Sequence, residues 1–257
     1  MAELLEEIQR YWSTRTEGYS QVNYKELLGM QRGNWLAVLK EHFPGKAKEE
    51  LKILDVGTGP GFFPIILAED GYQVTAVDYT PEMLEKAREN LKENAGDCMH
   101  RVSFCRMDAQ NLEFEDHCFD VVISRNLTWN LENPALAYQE WYRVLKNHGV
   151  LMNFDANWYG YLYDEEKRIA YEQDRERVAE SKLDDHYLGT DIDAMEQIAL
   201  QVPMSKTKRP LWDVQILTQI GFGEVKTDMD IWKRVWSEEE KINYGSTPMF
   251  MVYAKKK

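Results

Sequence analysis

Leu51-Lys52-Ile53-Leu54-Asp55-Val56-Gly57-Thr58-Gly59-Pro60-Gly61-Phe62-Phe63 is the stretch that decides the fold. Its apolar half, 51–56, reads as a buried strand, and a helix is predicted from about 64 to 70. The glycines between them permit a tight turn and a close approach of backbone to a ligand. Such a turn lies at the carboxyl end of the strand, where open α/β sheets bind their ligands. A dinucleotide fingerprint requires G-x-G-x-x-G, but counted from Gly57 the third glycine position holds Phe62. Pro60 removes a backbone N–H from the turn, and Asp55 adds a carboxylate just before it. These three features disfavour phosphate and suit a cofactor that is cationic near the loop.

The alternation continues outward from the turn. Strands are predicted over 73–78, 102–107, 119–124 and 150–154. Helices are predicted over 81–94, with Thr80 as N-cap and Pro81 at the first position, and over 133–145, closed by a polar turn at 146–149. Apolar strands spaced by helices imply a parallel sheet covered on both faces. Upstream, a helix over 2–12 gives way to a polar aromatic stretch over 13–24, and a second helix over 25–43 stops at Pro44-Gly45. Downstream, 160–201 is helical and carries 12 acidic against 5 basic residues. A helix over 211–220, strands over 222–228 and 249–254, and a frayed lysine end at 255–257 complete the chain.

The 257 residues fit one large domain and can bury a core without covalent staples. A net charge of −13 disfavours an unspecific grip on nucleic-acid backbones. No apolar run is long enough for a membrane span, and the acidic amphipathic start is unlike a signal peptide. Cys98, Cys105 and Cys118 match no metal or redox spacing. They are expected to be reduced thiols of a cytoplasmic protein with no bound metal.

Two further acids stand at strand ends. Asp78 lies 23 residues beyond Asp55, close to the spacing at which an acid reaches ribose hydroxyls. Asp108-Ala109 pairs a carboxylate that can accept from an adenine amino group with a side chain small enough to leave room for the ring. Any one of these acids alone would be read as a loop cap.

The segments LDVGTGPGFF, VTAVDYTPEMLEKARENL, MDAQNLEFEDHCFDVVISRN and EWYRVLKNHGVL together resemble the class I S-adenosylmethionine-dependent methyltransferases of the small-molecule, UbiE-like group. The resemblance covers roughly 50–155. It implies a Rossmann-like α/β fold, a seven-stranded, mostly parallel sheet with helices on both faces, the last strand antiparallel and a helical insertion after the fifth strand. It also implies a division into an N-terminal helical cover (1–45), a cofactor core (50–155), a helical lid (160–205) and a C-terminal helix with edge strands (211–257).

Carried over by position, Gly57, Gly59 and Gly61 underlie the methionine part of S-adenosyl-L-methionine, with Asp55 just before them. Asp78 takes the ribose, Tyr79 and Met83 pack the adenine, and Asp108 and Ala109 approach its edge. Arg125 and Asn126 line the methionine side, and Tyr11 and Tyr19 belong to an aromatic segment folding over the cofactor. Asn130 stands where several relatives carry histidine, and no base is assigned to it.

Methyl transfer from a sulfonium needs no acid for its leaving group, so the sequence need not carry a base motif. Asp155, Tyr159 and His186 are nonetheless candidates for proton handling. Trp129, Trp158 and Tyr159 are candidates for the acceptor wall, whereas Trp232, Trp236 and Tyr244 read as a cover for the sheet edge. The expected function is methyl transfer to a small molecule, yielding S-adenosyl-L-homocysteine, by a monomer or homodimer without nucleic-acid or membrane partners. The alternatives are a nucleic-acid or protein methyltransferase, or a cofactor-binding protein without turnover.

Overall fold

Alternation of side chains along the strands builds the two faces of the sheet. In β1 (Lys52–Val56), Ile53 packs with Trp35, Ile65 and Val74 on one face, while Leu54 packs with Val122, Tyr138 and Trp141 on the other. In β4 (Phe119–Arg125), Val121 and Ile123 point to the first face and Val122 to the second, and every residue but Arg125 is buried. Each large apolar side chain removed from water in this way contributes about 1.5–3 kcal/mol.

A computed structural model of the chain describes residues 2–187 and 190–257. The other elements are α1 (Ala2–Leu28), α2 (Gln31–His42), α3 (Phe62–Glu69), β2 (Gln73–Asp78), α4 (Pro81–Ala95), β3 (Val102–Arg106), α5 (Pro134–Val144) and β5 (Leu145–Asp155). After β5 come α6 (Glu165–Glu180), α7 (Ile192–Ala199), α8 (Leu211–Ile220), β6 (Phe222–Asp228), α9 (Trp232–Val235), α10 (Glu238–Asn243) and β7 (Phe250–Lys256). The strand order is β3-β2-β1-β4-β5-β7-β6, parallel except for β7, which runs against both β5 and β6. This is the expected seven-stranded sheet with a reversed last strand. The order turns back between β1 and β4, so a crevice opens beyond their carboxyl ends.

Several local expectations need correction. Residues 13–24 continue α1 as one helix, in which Thr14 and Thr16 bond back to the Tyr11 and Trp12 carbonyls. Their polar character reflects buried partners: Asn90 donates to the Ser20 hydroxyl at 3.0 Å. The polar residues 146–149 lie within β5, with His148 held at φ 64°. Thr80 stands at the α4 N-cap, but its side chain makes no capping bond. The lysine end is not frayed: Lys255 and Lys256 are in β7, and the buried Lys256 ammonium donates to the Tyr142 and Leu145 carbonyls at 2.6 and 2.8 Å.

A third apolar cluster sits over the carboxyl end of the sheet. Ile8 and Tyr11 of α1 pack there against Trp129 and against Met195 and Ile198 of α7. The insertion after β5 and the N-terminal helix thus share one core above the crevice, with Leu188 and Gly189 of the expected lid lying outside the described residues. No described helix is long and apolar enough to cross a membrane.

Candidate functional site

The glycine turn folds back on β2. The Gly57 and Thr58 N–H groups donate to the Val77 carbonyl at 2.9 and 3.0 Å, and Gly57 and Gly59 adopt φ of 71° and 53°. A Cβ on Gly57 would stand 2.8 Å from Leu127. Asp78, at the end of β2, faces this turn. Its Oδ2 accepts from Gly59 N–H and its Oδ1 from Thr80 N–H, both at 2.9 Å. Each oxygen therefore keeps a lone pair for a further donor. Burial raises its pKa, against the lowering effect of those N–H groups.

Around this turn lies a cleft of about 810 Å³. Tyr79, Met83, Asp108 and Ala109 form one wall, and Leu5, Ile8, Trp12 and Tyr19 of α1 form its cover. Arg106 lies over the Tyr79 ring, 5.2 Å from its centroid, and fixes it from outside. Asn130 Oδ1 and Glu132 Oε1 are buried in the lining with no hydrogen-bond donor among the described residues. Arg125 is the one cationic side chain among the described lining residues.

A second cavity of about 1050 Å³ adjoins the first, and Trp12, Tyr19, Arg125 and Asn126 border both. Asn126, at φ 55°, ties the loops after β4 and β5 together. Its carbonyl accepts from the Trp129 indole N–H at 2.9 Å and its side-chain oxygen from the Trp158 indole N–H at 3.3 Å. Trp129 stacks on Tyr159 at 5.2 Å, and Trp158 meets Tyr244 edge-on at 5.4 Å. Glu240 lines this cavity, and burial, reinforced by the nearby Glu26, pushes its carboxyl up to about 7. His186 also lines it, bonded to the Tyr244 hydroxyl at 2.9 Å and to Glu239 at 2.6 Å.

The structure brings most of the candidates together and removes some. Gly57, Gly59, Asp78, Tyr79, Met83, Asp108, Ala109, Tyr19, Arg125 and Asn126 all border the first cleft, and Trp129, Trp158, Tyr159 and His186 border the second. Tyr11 borders the second cavity and not the first. Gly61 lies behind the turn, where a Cβ would meet Ala87 Cβ at 3.0 Å, so it serves the packing of the turn on α4. Asp55 is buried beneath the turn and outside both linings, and burial pushes its carboxyl up to about 7.

Asp155 is no base. It is fully buried and bonded to the Thr128 hydroxyl, to the Trp129 and Ala156 N–H groups at 2.9 Å, and to Arg209 at 2.6 Å. Arg209 in turn pairs with Asp213, so one guanidinium serves both carboxylates, and the Tyr138 hydroxyl donates to Asp213 as well. Trp236 and Tyr244 line the second cavity instead of merely covering the edge, while Trp232 packs on the core. Glu26 and Glu240 were not signalled in the sequence. Each is one acid among many on a helix, and only the tertiary arrangement singles them out.

Residues 54–153 match the methyltransferase domain family. The chain is 28% identical over 155 residues to the demethylmenaquinone methyltransferase of Bacteroides fragilis and 32% identical over 149 residues to that of Roseiflexus castenholzii. These matches take in 57% of this chain and 59% and 58% of the relatives, so the similarity spans under three fifths of their length. The solved structure of a SAM-dependent methyltransferase from Aquifex aeolicus shares the fold with a TM-score of 0.53 at 20% identity, over 85% of this chain and 87% of that one. Residues 54–153 thus carry a methyltransferase domain, and in that domain and the sheet order around it the chain is similar to the UbiE-like S-adenosylmethionine-dependent methyltransferases.

Proposed function

We propose that the protein binds S-adenosyl-L-methionine in the first cleft and transfers its methyl group to a small molecule held in the second. The observation that carries this reading is Asp78, a carboxylate with free lone pairs facing a cleft whose one lining cation, Arg125, is already paired with Glu26. A pyrophosphate would find no free charge there, whereas a ribose diol would find an acceptor. The partnerless Asn130 and Glu132 oxygens supply acceptors for amino groups of the same ligand.

When bound, the sulfonium supplies an electrophilic methyl carbon. The contribution of this chain is to align and enclose: the shared border of Trp12, Tyr19, Arg125 and Asn126 lets one cavity open onto the other. Alignment of two bound reactants is worth up to about 7–11 kcal/mol. The cover formed by α1 and the insertion excludes water from the junction. We further place the protein in the cytoplasm, where its three free cysteines stay reduced.

The test is formation of S-adenosylhomocysteine from S-adenosylmethionine with a panel of amine, phenol, thiol and quinol acceptors. Acceptor-dependent product supports the reading. Binding of the cofactor with no product for any acceptor supports a binding protein without turnover.

A further inference from the structure

We propose that the second cavity receives its acceptor through a protonated amine, held by the Glu240 carboxylate and the surrounding aromatic faces. The proposal rests on the reading of that cavity as the acceptor site. Eleven of the 23 described residues lining it are tryptophan or tyrosine. Ring faces carry negative quadrupole potential and attract ammonium groups, although they also suit a flat neutral molecule. The carboxylates decide between the two.

Glu26 is neutralised by its two-pronged pair with Arg125. Glu240 is not. It accepts from the Gln31 amide and the Ser237 N–H, both at 2.7 Å, both neutral and both on Oε2. Its Oε1 has no donor among the described residues, and the residue is only 6% exposed. A carboxylate this buried is costly unless a cation joins it.

The other charged groups facing it have partners of their own. Lys25 of α1 bonds Asp184 and Glu239, and His186 bonds Glu239 and the Tyr244 hydroxyl. Arg15 also lines the cavity, but it precedes Glu26 by eleven residues on α1, about 16 Å along the helix axis. The rings of Trp236 and Trp158 gather around Tyr244 at 5.8 and 5.4 Å, and Tyr244 directly follows α10, the short helix that carries Glu240. Carboxylate and ring faces therefore converge at one end of the cavity.

The experiment titrates the full chain, saturated with S-adenosylhomocysteine at pH 8, with 2-phenylethylamine, 2-phenylethanol and phenylacetate. The amine is expected to bind at least tenfold more tightly than the alcohol, and phenylacetate more weakly than either. In wild type this preference shrinks between pH 8 and pH 6 as Glu240 takes up a proton. In Glu240→Gln, which keeps an oxygen for Ser237, the preference falls toward unity and no longer responds to pH. Equal binding of amine and alcohol, tighter binding of phenylacetate, a preference retained in Glu240→Gln, or no amine binding at millimolar concentration each overturns the proposal. A preliminary titration with S-adenosylhomocysteine separates the two readings. Its failure defeats the cofactor assignment, whereas success without amine preference defeats the acceptor class alone.

Discussion

Glu26 and Arg125 meet as a two-pronged ion pair, Nη1 to Oε1 at 2.8 Å and Nη2 to Oε2 at 2.9 Å, where α1 crosses the end of β4. Both side chains are nearly buried, and the guanidinium lies over Phe62, 4.7 Å from the ring centroid. Desolvation is the largest influence on Arg125 and opposes its charge, but Glu26, Tyr19 and Glu240 together hold the arginine pKa above its ordinary value. Removal of one partner leaves an uncompensated buried charge. Glu26→Ala is therefore expected to lower unfolding stability by about 3–5 kcal/mol, read from urea denaturation. A loss below about 1 kcal/mol, the level of an exposed pair, would show that the pair does not anchor α1.

Asp78 is expected to govern cofactor affinity more than folding. Asp78→Ala removes an acceptor of charge-assisted bonds to two hydroxyls, each worth about 1.5–3 kcal/mol. Affinity for S-adenosylhomocysteine should fall at least tenfold while circular dichroism is unchanged. An unaltered dissociation constant would reduce Asp78 to a clamp for the Gly59 and Thr80 N–H groups.

Asp155 carries the opposite expectation. Its bonds run to Thr128, Trp129, Ala156 and Arg209, all inside the fold. Asp155→Ala should cost about 1–3 kcal/mol of stability by leaving the buried Trp129 and Ala156 N–H groups without an acceptor, while Arg209 keeps its pair with Asp213. A variant of undiminished stability with slowed turnover would restore Asp155 as a base.

Asp55 gives a pH signature. Its folded pKa, raised to about 7 by burial, exceeds its unfolded value, so between about pH 4 and pH 7 the folded chain binds the extra proton. Stability from this group is full at low pH and is lost as pH rises through 7. Asp55→Asn removes this loss. The variant should be no less stable than wild type at pH 8 and should show a shallower decline between pH 5 and pH 8. An unchanged slope would mean that Asp55 does not carry the effect.

The core was legible because its signals are local. β2 and α8 fall on the residues read from the sequence, 73–78 and 211–220, since alternation, an N-terminal polar boundary and Gly221 mark them directly. The extension of α1 through 13–24 was not legible, because its polar residues find partners only in the folded chain, as Ser20 does in Asn90, 70 residues away. Asp155 looked like a free strand-end acid because Arg209, 54 residues away, cannot be seen from the strand itself. The second cavity was half legible. Trp129, Trp158 and Tyr159 follow the strands, whereas Trp236, Tyr244 and Glu240 arrive from the far end of the chain.

The cover formed by α1 and the insertion should respond to ligand. Its cluster of Ile8, Tyr11, Trp129, Met195 and Ile198 lies over the crevice, apart from the two main cores. Segments of this kind open at low free-energy cost and close on bound ligand. S-adenosylhomocysteine should raise hydrogen-exchange protection over 11–19 and in part of 160–201, beyond the rise at 57–61. Protection confined to the glycine turn and Asp78 would make the cover a fixed packing element.

Parallel calorimetric titrations of the purified chain with S-adenosylhomocysteine and with NAD decide whether the cleft at Asp78 is built for a phosphate-free adenosyl cofactor. Saturable binding of S-adenosylhomocysteine at one site per chain is expected, with no heat of binding for NAD. NAD binding of comparable strength, or no binding of S-adenosylhomocysteine, would contradict it.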